Sequence, residues 1–85
     1  MQISPVRLAI LHTRTARSLL AAGKRKHAAR KLKQARRAIQ DLADPRFKVA
    51  SRFLSEALRG LKRHDGNRFM KRCEAVIQLL AGPFT

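Results

Sequence analysis

Five apolar residues in the middle of the sequence recur at intervals of four, three, four and three positions. They are Ala28, Leu32, Ala35, Ile39 and Leu42. Side chains at this spacing stack along one side of an α-helix, because the helix completes a turn every ~3.6 residues. The stripe therefore predicts a helix that ends before Asp44-Pro45, and it identifies the side of that helix that faces a core.

Capping signals and similar stripes predict three further helices. Ser4-Pro5 and Asp44-Pro45 each place a side-chain oxygen before a proline, an arrangement that begins a helix. Gly23 predicts the end of the first helix, because glycine readily takes the left-handed conformation that follows one. His64-Asp65-Gly66-Asn67 predicts a turn before the last helix, which ends at Gly82-Pro83. The expected core residues are Val6, Ile10, Thr13, Ala16 or Arg17, and Leu20 in the first helix, Phe47, Ala50, Leu54, Ala57, Leu58 and Leu61 in the third, and Phe69, Cys73, Val76, Ile77 and Leu80 in the fourth.

Short connections between the four predicted helices favour an all-α fold, with two antiparallel αα-hairpins packed as a small helical bundle. Residues 1–85 are expected to form a single basic helical domain, since a chain of 85 residues encloses one small core. The two halves also resemble each other. Sliding the sequence by 38 positions pairs Leu20 with Leu58, Ile39 with Ile77 and seven further identical residues. Several such identities arise by chance in a chain rich in Arg and Leu, so this 38-residue repeat is weak.

The charge of the chain is strongly one-sided. It has 20 Lys and Arg against 5 Asp and Glu, and its formal net charge is +15. A folded domain with this charge repels itself unless a partner neutralises it. The cations are densest between Lys24 and Arg37, where eight of fourteen residues are Lys or Arg and none is acidic. The composition therefore predicts an anionic partner.

Four cations of the predicted second helix lie opposite its apolar stripe and form what we call the cationic ridge. Its members lie roughly 4.5 to 6 Å apart along the helix axis, comparable to neighbouring phosphates on a strand. Solvated helix surfaces usually alternate Lys with Glu, whereas the ridge holds two like-charge pairs four residues apart, each opposing the helix by about 0.2–0.5 kcal/mol. This tolerated repulsion favours a binding surface over an ordinary solvated one. The ridge consists of Lys26, Arg30, Lys33 and Arg37, and Arg25 and Arg36 flank it.

The positions of the aromatic residues indicate which polyanion is bound. Proteins that bind single strands stack bases on exposed rings, but Phe47, Phe53 and Phe69 fall on or beside the predicted core stripes. Only Phe84 is expected to be exposed. We therefore expect contact with the backbone of duplex DNA or structured RNA. A helix-turn-helix that reads base sequence across the junction at Asp44-Pro45 is a less favoured alternative, because the turn lacks a glycine.

An alternative function of a different class is that of a protein-binding adaptor or inhibitor. Its basic surface would dock on an acidic protein, and exposed apolar residues beside the cations would anchor it. The candidate anchors are Val49, Phe53, Leu79 and Phe84, which would equally serve a homodimer. A third alternative is a cationic protein at a membrane surface or in an organelle, since residues 1–20 contain arginines and no acid.

No sequence pattern predicts a catalytic, metal or cofactor site. His12, His27, His64 and Cys73 form no metal-ligand pair, the carboxylates are scattered, and there is no glycine-rich phosphate loop. Cys73 falls on a core stripe and is expected to be a small buried apolar residue. The single cysteine excludes an internal disulfide, and no apolar run approaches the ~18 residues of a membrane span. The sequence therefore predicts a cytoplasmic binding protein that is not an enzyme.

Overall fold

Four α-helices account for most of residues 4–82, the part of the chain that the computed structural model describes, and this part contains no β-strand. The predicted all-α fold is thus confirmed. The helices are Pro5–Ala21 (α1), Arg25–Ile39 (α2), Pro45–Lys62 (α3) and Gly66–Ala81 (α4).

Side-chain caps begin three of the helices. Ser4 Oγ accepts a hydrogen bond from the Arg7 amide at 3.1 Å, and Asp44 Oδ1 accepts one from the Arg46 amide at 2.8 Å. These are the predicted caps, each followed by a proline. Asp65 caps α4 in the same way through the Arg68 amide at 3.0 Å. The expected turn at residues 64–67 is therefore shorter than predicted, because Gly66 and Asn67 already belong to α4.

The same backbone motif ends α1 and α3. Gly23 takes the left-handed conformation at φ +79°, and the Lys24 amide reaches back to the Leu19 carbonyl at 2.8 Å. After α3, His64 takes this conformation at φ +57°, and the Asp65 amide reaches back to the Gly60 carbonyl at 2.8 Å. The predicted role of Gly23 is confirmed, while in the second hairpin a histidine occupies the position that glycine favours.

The helices form two hairpins, α1 with α2 and α3 with α4, as expected. The hairpins meet along two seams, α2 against α3 and α1 against α4, and contacts along the seams are less extensive than those inside each hairpin. Within residues 4–82, no Cα pair closer than 8 Å joins the diagonal helices α1 and α3, or α2 and α4. The fold is therefore a small bundle in which each helix touches two neighbours.

The core confirms the stripes of α2 and α3 closely and that of α1 in part. In α1 the buried residues are Ala9, Thr13 and Ala16, of which Thr13 and Ala16 were expected, whereas Val6 and Ile10, which were also expected in the core, are half-buried. Small side chains let the backbone of α1 approach α2, and the larger residues cover the edges. Thr13 is the one buried polar side chain of the described residues, and its hydroxyl donates to the Ala9 carbonyl at 2.7 Å.

Other expected core residues lie at its margin. Ile77 is half-buried, because Val76 occupies the inward position of α4. Leu42 is also half-buried and lies after the end of α2, which stops at Ile39. Leu20 and Leu58 pack against the core from partly exposed positions. The fully enclosed side chains include Phe69, Leu32, Ile39, Leu54, Leu80, Val76 and Cys73.

Buried positions recur in the two hairpins at a separation of 41 residues. The left-handed residues Gly23 and His64 show this separation as well. At the 38-residue separation of the sequence identities, buried Ile39 instead corresponds to half-buried Ile77. The structural repeat of the hairpins is therefore 41 residues long, whereas the identical residues of the sequence recur at 38. The equivalent buried pairs are Ala9 and Ala50, Thr13 and Leu54, Ala16 and Ala57, Ala28 and Phe69, Leu32 and Cys73, Ala35 and Val76, and Ile39 and Leu80.

Candidate nucleic-acid interface

The cationic ridge is a continuous exposed surface of α2. Its four members, Lys26, Arg30, Lys33 and Arg37, are all exposed, and the opposite side of the helix is buried in the core. No residue of α2 is acidic. The ion pairs found among residues 4–82 link Arg46 to Asp44 and Arg72 to Glu56, so they leave the ridge unneutralised.

The two arginines predicted to flank the ridge have a second role that the sequence did not indicate. Arg25 Nη2 donates to the Leu61 carbonyl at the end of α3, and Arg36 Nη1 donates to Ser55 Oγ at 3.2 Å. Both side chains therefore cross the seam between the hairpins. A guanidinium group at the C-terminal end of a helix also interacts favourably with the helix dipole, as Arg25 does with α3. Arg25 and Arg36 consequently combine a structural contact with their contribution to the basic surface.

A groove of about 540 Å³ opens between α2 and α3 beside the ridge. We call it the α2–α3 groove. Its deeper wall contains half-buried Ala29, Ser55 and Leu58 together with buried Leu61. Six cations surround this wall, four from α2 and two from α3, and no carboxylate lines the groove. These cations are Arg25, Lys26, Lys33, Arg36, Arg59 and Lys62.

The groove shows how basic charge from two helices is brought together. Lys26 and Lys33 belong to both the ridge and the groove, while Arg30 and Arg37 are exposed and do not line it. Neither Arg59 nor Lys62 was among the predicted binding residues. The helical phase of α3 places both on one side, but only the packing of the hairpins shows that this side faces α2.

Arg36 also lines a second concave region of about 320 Å³ that extends toward the α2–α3 connection. Ile39, Leu42 and Phe47 contribute its apolar surface, and Lys48 its second cation. The side chain of Arg36, which reaches across to Ser55, therefore separates two depressions along one seam.

Basic charge on α4 forms a separate surface. Arg68 and Lys71 are exposed there, whereas Arg72 is committed to the fold. Its Nε lies 2.7 Å from Glu56 Oε2, and its guanidinium carbon lies 5.2 Å from the centre of the Phe53 ring. Arg46 lies similarly over Phe47, at 4.9 Å. The cations of the described residues thus occupy more than one surface.

Of the apolar residues predicted as protein anchors, Val49 is exposed, with 40% of its surface accessible. Phe53 and Leu79 pack against the core, and Phe84 lies outside the described residues. Leu11 and Met70 are further exposed apolar residues, at 53% and 36%. They lie on α1 and α4.

The fold shifts the pKa of two further side chains, those of Cys73 and His12. Cys73 is buried, as predicted, and burial raises the pKa of its thiol to about 12, although nearby Arg17 acts in the opposite direction. Burial and, secondarily, the charge of Lys31 lower the pKa of His12. Among residues 4–82 no three His, Cys, Asp or Glu side chains lie close enough to hold a metal ion.

Comparison with protein-family models, with curated protein sequences and with solved structures finds no match for this chain. Every helix within residues 4–82 also falls short of the length or the apolarity that a membrane crossing requires.

Proposed function

We propose that this protein binds the sugar-phosphate backbone of nucleic acid, either duplex DNA or structured RNA, through the cationic ridge of α2. The observation that carries the proposal is the exposure of all four ridge side chains on a helix that has no acidic residue. Binding phosphates there would release condensed counterions and relieve the repulsion between the ridge cations. The protein acts as a binding module rather than an enzyme.

The N-terminal end of α2 supports the same proposal. Lys24 occupies the cap position without a side-chain hydrogen bond to the helix, and Arg25 and Lys26 follow in the first turn. The positive end of a helix dipole is stabilised by acids and opposed by cations. A phosphate bound near this end would therefore interact favourably with both the dipole and the side chains.

The aromatic residues favour backbone contact over base stacking. Phe47 and Phe69 are buried, and Phe53 packs between the core and Arg72. No phenylalanine ring is therefore exposed among residues 4–82 for a base to stack on. Arginine and lysine contacts to phosphates position a protein on nucleic acid without reading its sequence. We further propose a cytoplasmic location, in keeping with a single cysteine that is buried as a thiol.

A salt titration tests the proposal. The affinity for duplex DNA and for structured RNA is measured at increasing salt for the wild type and for the ridge variant, in which the four ridge cations are replaced by Gln. If about four phosphates are neutralised at the ridge, the slope of log affinity against log salt becomes shallower by about 3.6 in the ridge variant on duplex DNA.

A matched variant separates the ridge from the total charge. It also replaces four exposed cations by Gln, but on α1, α3 and α4, and it should keep the steep slope of the wild type. Equal slopes for the ridge variant and the wild type would show that the ridge is an ordinary solvated surface. The matched variant carries Arg7→Gln, Arg14→Gln, Arg52→Gln and Lys71→Gln.

A further inference from the structure

The α2–α3 groove adds to positive charge an apolar wall, which the ridge lacks. Its deeper wall presents the aliphatic carbon of Ala29, Leu58 and Leu61, and its margins present six cations. Ala29 is a small residue on α2 at the level of the groove, and its size leaves room beside Leu58 on α3. A ligand that fits the groove must therefore offer an apolar group and negative charge together.

A nucleic-acid backbone does not meet this requirement. Phosphates are charged and the sugars expose only small C–H surfaces, so the backbone would gain little from contact with Leu58 and Leu61. No aromatic side chain lines the groove, so it offers no ring on which a base would stack. A protein segment in which aliphatic side chains alternate with carboxylates does meet it, since these are the groups that complement the wall and the margins.

We propose that the α2–α3 groove binds an acidic amphipathic segment of a partner protein. An aliphatic side chain of that segment packs over Ala29 and Leu58, and its carboxylates pair with Lys33, Arg59 and Lys62. This site shares Lys26 and Lys33 with the ridge, whereas Arg30 and Arg37 of the ridge lie outside it, so substitutions at Arg30 and Arg37 distinguish the two sites.

The length of the groove defines the size of the segment. Arg25 and Arg36 line its two ends on α2, eleven residues apart, which corresponds to roughly 16 Å along a helix. Three turns of a bound helix cover this distance, enough for two or three anchors on one side. Arg36, hydrogen-bonded to Ser55, closes the far end.

The test uses a displayed library of random peptides of about 12 residues, which span the groove as a helix. Peptides enriched on the whole protein should carry carboxylates around aliphatic residues. Replacing the aliphatic residues of an enriched peptide by Gln should weaken binding at least about tenfold, because burial of one such side chain contributes at least that factor. Enrichment of acidic peptides without aliphatic anchors, or binding that survives their replacement, would overturn the proposal.

Two variants locate the binding site. Leu58→Gln should abolish the tenfold preference for the aliphatic peptide, whereas Leu58→Met, which keeps the wall apolar, should retain it. Circular dichroism of both variants verifies that the fold is intact. The double variant Arg30→Gln and Arg37→Gln should bind the peptide as the wild type does. Loss of peptide binding in this double variant would show that the peptide binds the ridge, and it would refute the groove as the peptide site. This outcome is independent of the salt titration with DNA.

Discussion

The guanidinium group of Arg25 donates a hydrogen bond to the main-chain carbonyl oxygen of Leu61, so the first residue of α2 is joined to the last turn of α3. This contact spans the seam between the two hairpins, which is less extensively packed than the hairpins themselves. The same carbonyl accepts a hydrogen bond from the His64 amide at 3.2 Å, so Arg25 is its second donor at a helix end where carbonyl groups lack intrahelical partners.

We expect Arg25→Gln to lower the free energy of unfolding by about 1–2 kcal/mol, because a hydrogen bond from a charged donor is lost. Arg30→Gln removes the same charge from an exposed position without a side-chain partner, so it should change stability by less than about 0.5 kcal/mol. Urea denaturation of both variants gives the comparison. Equal stability of the two variants would mean that the hydrogen bond to Leu61 adds nothing to the free energy of unfolding beyond the effect of the arginine charge.

Truncation in the core should have a much larger effect. Leu32→Ala or Leu54→Ala removes a fully enclosed side chain, and we expect a loss of roughly 2–5 kcal/mol. A loss of that size approaches the whole stability of a small domain. Leu11→Ala makes the same truncation at a side chain that is 53% exposed. The melting temperature of this variant should therefore stay close to that of the wild type. A reversed order would mean that the inward sides of α2 and α3 are misassigned.

The helix ends at Gly23 and His64 should respond to substitution in opposite directions. Gly23→Ala places a side chain at φ +79° with no atom within 4 Å of the new Cβ, so its effect is purely conformational. We expect it to destabilise the protein by about 1–2 kcal/mol. His64→Gly removes the same strain at φ +57° and should stabilise the protein by a smaller amount, because glycine also raises the entropy of the unfolded chain. Melting temperatures that shift in the same direction for both variants would contradict this account.

Sequence reasoning succeeds in this chain where the determinants are local. The caps at Ser4 and Asp44 and the left-handed Gly23 depend on a few adjacent residues, and each was found at its predicted place. The stripe of α2 was equally clear, because charged residues separate its apolar residues with strong contrast. On α1 the contrast is weak. Apolar residues surround most of that helix, so the small buried side chain of Ala9 was missed while its larger neighbours Val6 and Ile10 were assigned to the core.

The parts that sequence reasoning missed depend on how the hairpins pack against each other. The groove beside the ridge requires α3 to turn Arg59 and Lys62 toward α2, which no periodicity within one helix determines. The hydrogen bonds of Arg25 and Arg36 join residues 36 and 19 positions apart in the chain. The 41-residue repeat of the hairpins was not predicted for a similar reason. Packing requires a buried residue at each equivalent position, but it does not require the same residue type.

The thiol of Cys73 should make stability depend on alkaline pH. Because its folded pKa lies near 12 and its ordinary value is 9.0, the folded state disfavours the thiolate. The stabilisation is fully present below pH 9 and is lost as the pH rises toward 12. Over this range the wild type should lose about 1.4 kcal/mol per pH unit more than Cys73→Ala does. Denaturant titrations of both proteins across the range measure the difference, and parallel pH profiles would show that the thiol is accessible to water.

The ridge itself should limit the stability of the free protein. It contains the like-charge pairs Lys26 with Arg30 and Lys33 with Arg37, each four residues apart on α2 and exposed. Each pair opposes the helix by about 0.2–0.5 kcal/mol. The ridge variant with four Gln residues should therefore be more stable than the wild type at low salt, by roughly 0.5–1 kcal/mol. Added salt screens exposed charges, so this advantage should shrink as the Debye length falls to ~8 Å at physiological ionic strength.

The matched variant on α1, α3 and α4 loses the same number of charges, and it serves as the control for this measurement. A general reduction of the net charge would stabilise both variants equally. Repulsion within the ridge would stabilise the ridge variant alone, and urea denaturation of the three proteins at low and physiological salt distinguishes the two cases. A ridge variant that is less stable than the wild type at low salt would mean that the ridge side chains make stabilising contacts in the free protein. In that case, repulsion among the ridge cations would not support an anionic partner for the ridge.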